Sequence, residues 1–323
     1  MDSILKKLIP GLILGFLVLV TLAFIGDLKQ VGEVISRFNW WMFPVAISFT
    51  LFNYGLRFLK FLYYLKLIGA KEIGWREGLR IFVAGFPLAV TPGKVGEALK
   101  GVWINRASGI PVGKGISAIL AERISDGMAV LMLSTLGVLA YPQYWPAFLL
   151  IFFLMLTAII TIQIRPVCLW LLGMGEKLPV LKRMMVHIMD LYEGSYTLFK
   201  PLPMVTAVGL GMLSWLGEGV GFYFLLTGLG LEPGFKLLGM AIFTLSFSTI
   251  VGGASALPGG LGAAEASIAG MLTVLGGFPA AVSAAATLLI RLATLWFGVL
   301  MGLIVWAFSL ELLGLRKQDG KLD

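Results

Sequence analysis

Long apolar stretches recur along the chain and are separated by short polar connections. Six of them have the length that an α-helix needs to cross a bilayer, and they lie at residues 8–25, 41–65, 115–140, 146–163, 204–227 and 280–307. Hydrophobic residues make up 59% of the 323 residues, and no polar stretch is long enough for a separate soluble domain. The pattern predicts an all-α, multi-pass protein in which residues 1–323 form a single integral membrane domain.

Two further apolar regions, 79–105 and 237–277, are each interrupted by a similar motif. The first contains PGKVGE at 92–97 and the second PGGLGAAE at 258–265, so each is Pro-Gly-x-x-Gly closed by a glutamate. Proline ends a helix and glycine tolerates a tight turn. We therefore interpret each region as a re-entrant hairpin of two short helices. The predicted hairpin tips consist of Pro92, Gly93, Gly96, Pro258, Gly259, Gly260 and Gly262.

Lysine and arginine are unevenly distributed between the predicted connections. With the N-terminus in the cytoplasm, the inner connections carry sixteen lysines and arginines and the outer ones carry three. Such an excess is typical of cytoplasmic loops, and it disappears if either interrupted region crosses fully. The distribution predicts that both termini are cytoplasmic. It also accounts for the net charge of +8 without a nucleic-acid partner.

The same orientation places the first hairpin on the cytoplasmic side and the second on the outer side. Segment 41–140 is then an upside-down copy of segment 204–307, the inverted-topology repeat of many transporters. In each segment the motif glutamate is followed 26 residues later by an arginine, Arg123 or Arg291. Between the repeats, residues 180–200 have an amphipathic helical pattern, which predicts a cytoplasmic interfacial linker.

Several charged residues fall in the middle of predicted spans, where each costs about 2.5–3.5 kcal/mol at the bilayer centre. We expect them to face a polar cavity or one another. Glu122 and Asp126 are four residues apart and share a helix face with Arg123 beside them. Either Arg123 forms a local ion pair with Asp126, or it faces the cavity between flanking carboxylates.

The hairpin tips have chemistry of their own. A helix that begins at such a tip offers unpaired N–H groups suited to an anion. Alternatively, the Pro-Gly pairs make tight turns and the motif glutamates cap helices. The predicted substrate-binding residues of the spans and tips are Arg57, Lys94, Glu97, Lys100, Glu122, Arg123, Asp126, Glu218, Glu265 and Arg291.

Taken together, these residues resemble the membrane domain of the lysyl-phosphatidylglycerol synthase/flippase family. The resemblance covers essentially the whole chain, and it rests on Arg57, TPGKVGE at 91–97, Lys100, Glu122-Arg123-x-x-Asp126, the second motif with Glu265, and Arg291. It implies paired re-entrant elements and movement of a lipid across the bacterial cytoplasmic (inner) membrane. The sequence ends at Asp323 without the soluble synthase domain of the best-known members, so synthase activity is not expected. Stand-alone members are linked to varied lipids, including polyprenyl-linked sugars and hopanoids.

We therefore hypothesise a lipid flippase in which an anionic or zwitterionic headgroup binds the arginines of the spans and crosses by alternating access. Its partner is a membrane lipid, either a phospholipid or a polyprenyl-linked lipid; homo-oligomerisation is left open. Glu97 and Glu265 line the path, meet a headgroup amine or carry protons. A small-solute or ion secondary transporter is an alternative.

A second alternative is an intramembrane enzyme acting on a lipid-linked substrate. We do not expect an enzyme, because the predicted spans contain no cluster of histidines, cysteines or paired aspartates. Catalytic residues, metal ligands and cofactors are accordingly not predicted.

Overall fold

The computed structural model describes residues 2–91, 96–138, 145–175 and 179–309. Within these ranges the regular secondary structure is helical and contains no strand. The prediction of an all-α, multi-pass fold is confirmed. In chain order the helices are α1 (Asp2–Ile25), α2 (Leu28–Ser36), α3 (Met42–Leu67), α4 (Trp75–Ala84), α5 (Leu99–Ser108), α6 (Val112–Val138), α7 (Trp145–Gln163), α8 (Arg165–Gly175), α9 (Pro179–Leu198), α10 (Pro201–Gly228), α11 (Phe235–Ala254), α12 (Ala263–Val274), α13 (Ala280–Arg291) and α14 (Phe297–Phe308).

Four of the predicted spans coincide with helices that are long and apolar enough to cross a membrane. These helical segments are Leu8–Ile25, Met42–Leu67, Pro201–Gly228 and Ala280–Phe308. The last combines α13 and α14 through a π-helical segment, Leu292–Trp296. Single-turn π-helical segments inside longer helices occur frequently at functional sites. This one follows directly after Arg291.

The other two predicted spans form helices with distinct features. Span 115–140 corresponds to α6, which is long enough to cross but is less apolar because it carries several charged residues. Span 146–163 corresponds to α7, which is followed by α8 after a bend of 81°. Pro166 explains the bend, because its ring and missing N–H cannot continue the hydrogen-bond ladder of α7.

The structure describes the first Pro-Gly region only in part and the second in full. In the first, a 3-10 turn at Phe86–Val90 precedes the motif, and Pro92, Gly93 and Lys94 lie outside the described residues. In the second, α11 and α12 flank a 3-10 turn at Pro258–Gly260. The helices are unequal: α11 has 20 residues and α12 has 12. Since α11 is itself long and apolar enough to cross, it is not the short arm that we predicted, and the re-entrant assignment stays a prediction.

The chain forms two compact units. Unit 1 comprises Met1–Phe52, Phe82–Glu97 and Leu216–Asp323, and unit 2 comprises Asn53–Ile81 and Ala98–Trp215. The core of unit 1 is built from buried apolar side chains of α10, α11, α12 and α13, among them Phe222, Leu225, Ala241, Leu272 and Leu289.

Glycines allow close helix packing around the Pro-Gly regions of unit 1. On α1, a Cβ at Gly11 would collide with the carbonyl oxygen of Val90, and one at Gly15 would collide with the ring of Trp296. On α14, a Cβ at Gly302 would collide with Pro87. Small residues at such contacts are typical of membrane helices. These contacts fix the residues that flank the first motif.

In unit 2, α9 packs along the beginning of α6. A Cβ at Gly113 would meet the backbone of His187 and Leu191, and one at Gly194 would meet Ser117. The contacts advance together along both helices, so the two helices run in the same direction. Helix α9 covers most of the segment 180–200, and it packs against α6. The assignment of this segment as a cytoplasmic interfacial linker stays a prediction.

Close packing at Gly302 generates a prediction for stability. We expect Gly302→Ala to lower the free energy of unfolding by about 1–3 kcal/mol, the usual cost of overpacking, because the added methyl group collides with Pro87. The control is Gly239→Ala on α11, where a Cβ meets nothing within 4 Å. Thermal unfolding in detergent should show a lower midpoint for the first variant and an unchanged or higher midpoint for the control. Equal midpoints for both variants would contradict the packing described.

Candidate functional site

Helix α3 presents a polar face to α6 within unit 2. Arg57, Lys60 and Tyr64 are spaced three and four residues apart, so they lie on one side of α3. Glu122 and Asp126 are likewise four residues apart on α6. These two faces are complementary in charge, and they meet in the protein interior.

Arg57 contacts both carboxylates of α6. Its Nη2 atom lies 2.7 Å from Glu122 Oε1, and its Nε atom lies 3.4 Å from Asp126 Oδ2. The Trp215 ring packs against the same guanidinium, with 5.9 Å between Cζ and the ring centroid. Arg57 thus lies between two anions and an aromatic face.

Lys60 is the most deeply buried charge of the site. Its side chain is 0% exposed, and its Nζ atom contacts Asp126 Oδ1 and donates to Ser125 Oγ at 3.3 Å. The Tyr64 hydroxyl also donates to Ser125 Oγ, at 3.0 Å. The Ser125 hydroxyl donates in turn to the backbone carbonyl of Glu122 at 3.1 Å. The polar groups are therefore linked in one network.

A third cation comes from α5. Lys100 Nζ lies 3.5 Å from Glu122 Oε2 and 5.2 Å from the Phe61 ring centroid. Helix α5 approaches α6 closely at Gly101 and Gly115, where the Cα of Gly101 would lie 2.9 Å from a Cβ on Gly115. The glycines thus bring Lys100 within reach of Glu122.

These five side chains, which we call the α3–α6 charge network, are Arg57, Lys60, Lys100, Glu122 and Asp126. The set contains three cations and two carboxylates. Taking a charge out of water costs several kcal/mol, which a partner in good geometry offsets. Removing one member of a buried pair typically costs about 3–5 kcal/mol, because the other charge stays buried. The network is therefore a strong constraint on unit 2. It concentrates charge on two predicted spans and on one arm of the first predicted hairpin.

The second motif is held in unit 1 by Glu265 and Arg291. Glu265, which is 1% exposed, accepts a hydrogen bond from the Gly262 N–H at 2.7 Å through Oε2. Its Oε1 lies 2.5 Å from Arg291 Nε, and Arg291 Nη2 donates to the Gly259 carbonyl at 3.1 Å. Glu265 thus caps the N-terminus of α12, as the second interpretation of the motif glutamates expects. The two residues separated by 26 positions, Glu265 and Arg291, form an ion pair.

Backbone conformation explains the glycines of this tip. Gly259, Gly260 and Gly262 have φ values of 61°, 68° and 86°, a left-handed region that strains residues with a Cβ. Gly260 also packs against the backbone of Gly252, whose Cα would lie 2.9 Å from an added Cβ. The positive φ angles of this turn therefore explain why glycine occupies these three positions of the motif.

The first motif is described only in part. The Thr91 hydroxyl donates to the Leu88 carbonyl at 2.6 Å and accepts from the Gly96 N–H at 3.0 Å. Thr91 therefore connects Leu88, before residues 92–95, with Gly96, which follows them. Val90, just before it, approaches the second motif: its Cγ1 would lie 3.1 Å from a Cβ on Gly259. The two Pro-Gly regions are thus neighbours within unit 1.

The predicted site residues fall into two groups and several separate positions. Arg57, Lys100, Glu122 and Asp126 come together in unit 2, whereas Glu265 and Arg291 come together in unit 1. Arg123 is partly buried on α6. Glu97 and Glu218 are buried residues of unit 1, 4% and 6% exposed. Lys94 lies outside the described residues.

Sequence reasoning missed Lys60, Tyr64, Ser125 and Trp215. Lys60 lies three residues after Arg57 on the same helix face, and this spacing was the available signal. One alternative from the sequence pairs Asp126 with Arg123 of the same helix; in the structure Asp126 contacts Arg57 and Lys60 of α3. Which helix supplies the partner depends on tertiary packing.

Several helices are apolar and long enough to cross a bilayer, and an ion-pair network joins one of them, α3, to α5 and α6. These features define a polytopic helical membrane protein with a charged interior. The family described as the lysylphosphatidylglycerol synthase TM region matches residues 9–302. The chain belongs to this family, and the resemblance inferred from its motifs is confirmed. A UPF0104 membrane protein of Methanothermobacter thermautotrophicus is 30% identical over 236 residues, which cover 66% of this chain and 66% of that protein. The matched region thus spans about two thirds of that relative.

The α3–α6 charge network predicts strong coupling between Lys60 and Asp126. Lys60→Met and Asp126→Asn should each destabilise the protein, by about 3–5 kcal/mol when a buried partner is left alone. Because each variant removes the same contact, the double variant should lose less than the sum, with a coupling energy of about 0.5–3 kcal/mol. Unfolding free energies in detergent measure this cycle.

The exposed pair Arg165–Glu193 supplies the matched control. Its side chains are 51% and 36% exposed, and its N–O distance is 2.7 Å. The same cycle with Arg165→Gln and Glu193→Gln should give about 0–1 kcal/mol. A Lys60–Asp126 coupling no larger than that of the control would refute the buried network.

The second motif predicts a local effect of Arg291 on the tip. Arg291→Ala removes the ion pair with Glu265 and the donor to the Gly259 carbonyl, whereas Glu265→Gln keeps an acceptor for the Gly262 N–H. Hydrogen bonds to charged groups contribute about 1.5–3 kcal/mol, so amide exchange across 259–262 should rise about tenfold or more in Arg291→Ala and less in Glu265→Gln. The exposed Glu232→Gln should leave it unchanged. Unchanged exchange in Arg291→Ala would show that the pair does not hold the tip.

Proposed function

We propose that this protein is a lipid flippase that moves an anionic or zwitterionic lipid headgroup across the cytoplasmic membrane by alternating access, and that it is not an enzyme. The observation that carries the proposal is the α3–α6 charge network, in which three cations and two carboxylates of α3, α5 and α6 meet with side chains at most 11% exposed. Family membership supports the same function.

The network has the chemistry to accept a phosphate. Arginine binds phosphate and carboxylate oxygens with the same forked geometry, so a headgroup phosphate can replace a carboxylate at Arg57. Lys60 contacts Asp126 and Lys100 contacts Glu122, so both lysines add positive charge near Arg57. The lipid tails stay in the bilayer while the headgroup moves along the polar interior.

The same proposal assigns the orientation and the lipid. The excess of lysine and arginine in the predicted inner connections supports an orientation with both termini in the cytoplasm. The substrate is a phospholipid or a polyprenyl-linked lipid with a phosphate next to its tails. Opposed motion of two inverted repeats, about 41–140 and 204–307, supplies alternating access.

The roles of the predicted residues differ accordingly. Arg57 and Lys100 of the network contact the headgroup, with Glu122 and Asp126 as their resting partners. Glu265 and Arg291 hold the turn of the second motif, because they occupy each other and the backbone of Gly259 and Gly262. They are positioning residues for the hairpin rather than headgroup ligands.

Headgroup translocation in proteoliposomes tests the function. Labelled phosphatidylglycerol in the outer or inner leaflet is followed by its accessibility to a membrane-impermeant quencher. Wild-type protein should accelerate translocation, and Arg57→Gln should slow it about tenfold or more, since hydrogen bonds to charged groups contribute about 1.5–3 kcal/mol. Arg57→Lys keeps the charge without the forked geometry and should be intermediate.

Arg165→Gln is the matched control, because it removes the same charge from an exposed pair of unit 2. It should translocate lipid at the wild-type rate. Folding of each variant is checked by its unfolding midpoint. Wild-type translocation by folded Arg57→Gln would remove Arg57 from the site. Wild-type liposomes that take up a small solute but leave labelled lipids in place would favour a solute transporter.

A further inference from the structure

The polar face of α3 extends beyond the charge network to Asn53. This residue lies four positions before Arg57, so the two side chains share one face of the helix. Asn53 is 0% exposed. Neither its amide oxygen nor its amide nitrogen has a hydrogen-bond partner among the described residues. Buried polar side chains nearly always have a partner, so a wholly unpaired amide calls for an explanation.

A second unpaired group lies next to Arg57. The Trp215 ring packs against the Arg57 guanidinium, and its buried Nε1 atom also lacks a hydrogen-bond partner within the described part of the chain. The indole N–H can only donate, whereas an amide both donates and accepts. The Arg57 guanidinium therefore packs against a ring with an unused donor, and the face of α3 that carries Arg57 also carries an unused amide. All of these unpaired groups are uncharged.

We infer that Asn53 and Trp215 form a hydrogen-bonding subsite for hydroxyl groups of a lipid headgroup whose phosphate binds Arg57. A hydroxyl both donates and accepts, which matches the amide of Asn53, and its oxygen accepts from the indole N–H. A headgroup ammonium fits this subsite less well than a hydroxyl does, because an ammonium only donates hydrogen bonds and cannot accept one from the indole N–H. The inference rests on the proposed function and specifies its substrate class: phosphate lipids with a hydroxylated headgroup, such as a glycerol or a sugar.

The subsite is closed in this conformation, since Asn53 is fully buried. The headgroup reaches it when the protein opens, as alternating access provides. When the subsite is closed and empty, burial of the unpaired Asn53 amide is energetically unfavourable. A hydroxylated headgroup relieves that cost, whereas a headgroup with the phosphate alone does not.

Equilibrium lipid binding to the full chain in detergent tests the inference. The probes are phosphatidylglycerol and phosphatidylethanol with the same acyl chains. Both are phosphodiesters of equal charge, but only the first has headgroup hydroxyls. Native mass spectrometry measures the retained fraction of each. Wild-type protein should prefer phosphatidylglycerol about three- to tenfold, the effect of one or two ordinary hydrogen bonds.

Two variants remove the polar groups of the subsite. Asn53→Leu replaces the amide by an apolar group of similar size, and Trp215→Phe keeps an aromatic ring at Arg57 but removes the N–H. In each variant the ratio of phosphatidylglycerol binding to phosphatidylethanol binding should fall towards 1, because phosphatidylglycerol binding weakens and phosphatidylethanol binding is unchanged. Trp170→Phe, at a side chain that is 63% exposed, should keep the wild-type preference.

Asn53→Leu should also unfold at a midpoint no lower than wild type, because no hydrogen bond is lost. A wild-type preference near one overturns the inference, and so does an equal loss of both lipids in the variants, as expected if Asn53 binds a structural water. Translocation decides the proposed function separately. If the protein binds the two lipids with different affinities but translocates neither, the subsite is supported and the flippase function is refuted. If it translocates both lipids and binds them with equal affinity, the flippase function is supported and the subsite is refuted.

Discussion

Two carboxylates on one helix determine the packing of unit 2. Glu122 and Asp126 lie in a predicted span where water cannot solvate them, so cations from other helices must reach them. Lys60 and Arg57 fix the axial position of α3 against α6, and Lys100 fixes that of α5. A shift of α3 by one residue along the helix would turn its cations away from α6. Charge pairing thus sets the register of helices whose apolar surfaces alone would pack in several ways.

The Pro-Gly break of unit 1 obeys a related constraint. A break in a helix at membrane depth leaves backbone groups without hydrogen bonds, which is tolerated only where the protein supplies partners. Glu265 accepts from the Gly262 N–H, and Arg291 donates to the Gly259 carbonyl. Because the two side chains also neutralise each other, one ion pair satisfies the broken backbone without leaving a net charge. The duplicated glutamate–arginine spacing has this physical meaning in its second copy.

Four of the spans were predictable because apolar length alone identifies them. The site was predictable in part, because charged residues are conspicuous in apolar sequence. Lys60 escaped notice since it lies five residues from the predicted end of span 41–65, where a lysine can extend its ammonium towards water. Helix α11 was interpreted as a short arm of a re-entrant hairpin, because a Pro-Gly pair at 258–259 interrupts the apolar region 237–277. The partners of Asp126 were not predictable, because they depend on which helices pack together.

A network that is already paired when empty suits a transporter. Breaking Arg57 away from Glu122 and Asp126 costs free energy, and an entering phosphate must offset that cost before it contributes affinity. Net affinity for the anion is therefore lower than the number of cations suggests, and the anion can leave again. The unpaired amide of Asn53 has the opposite effect, since its pairing with a hydroxyl displaces no resident partner. In the proposed flippase the charges hold the headgroup loosely, and the uncharged groups beside Arg57 select which headgroup it is.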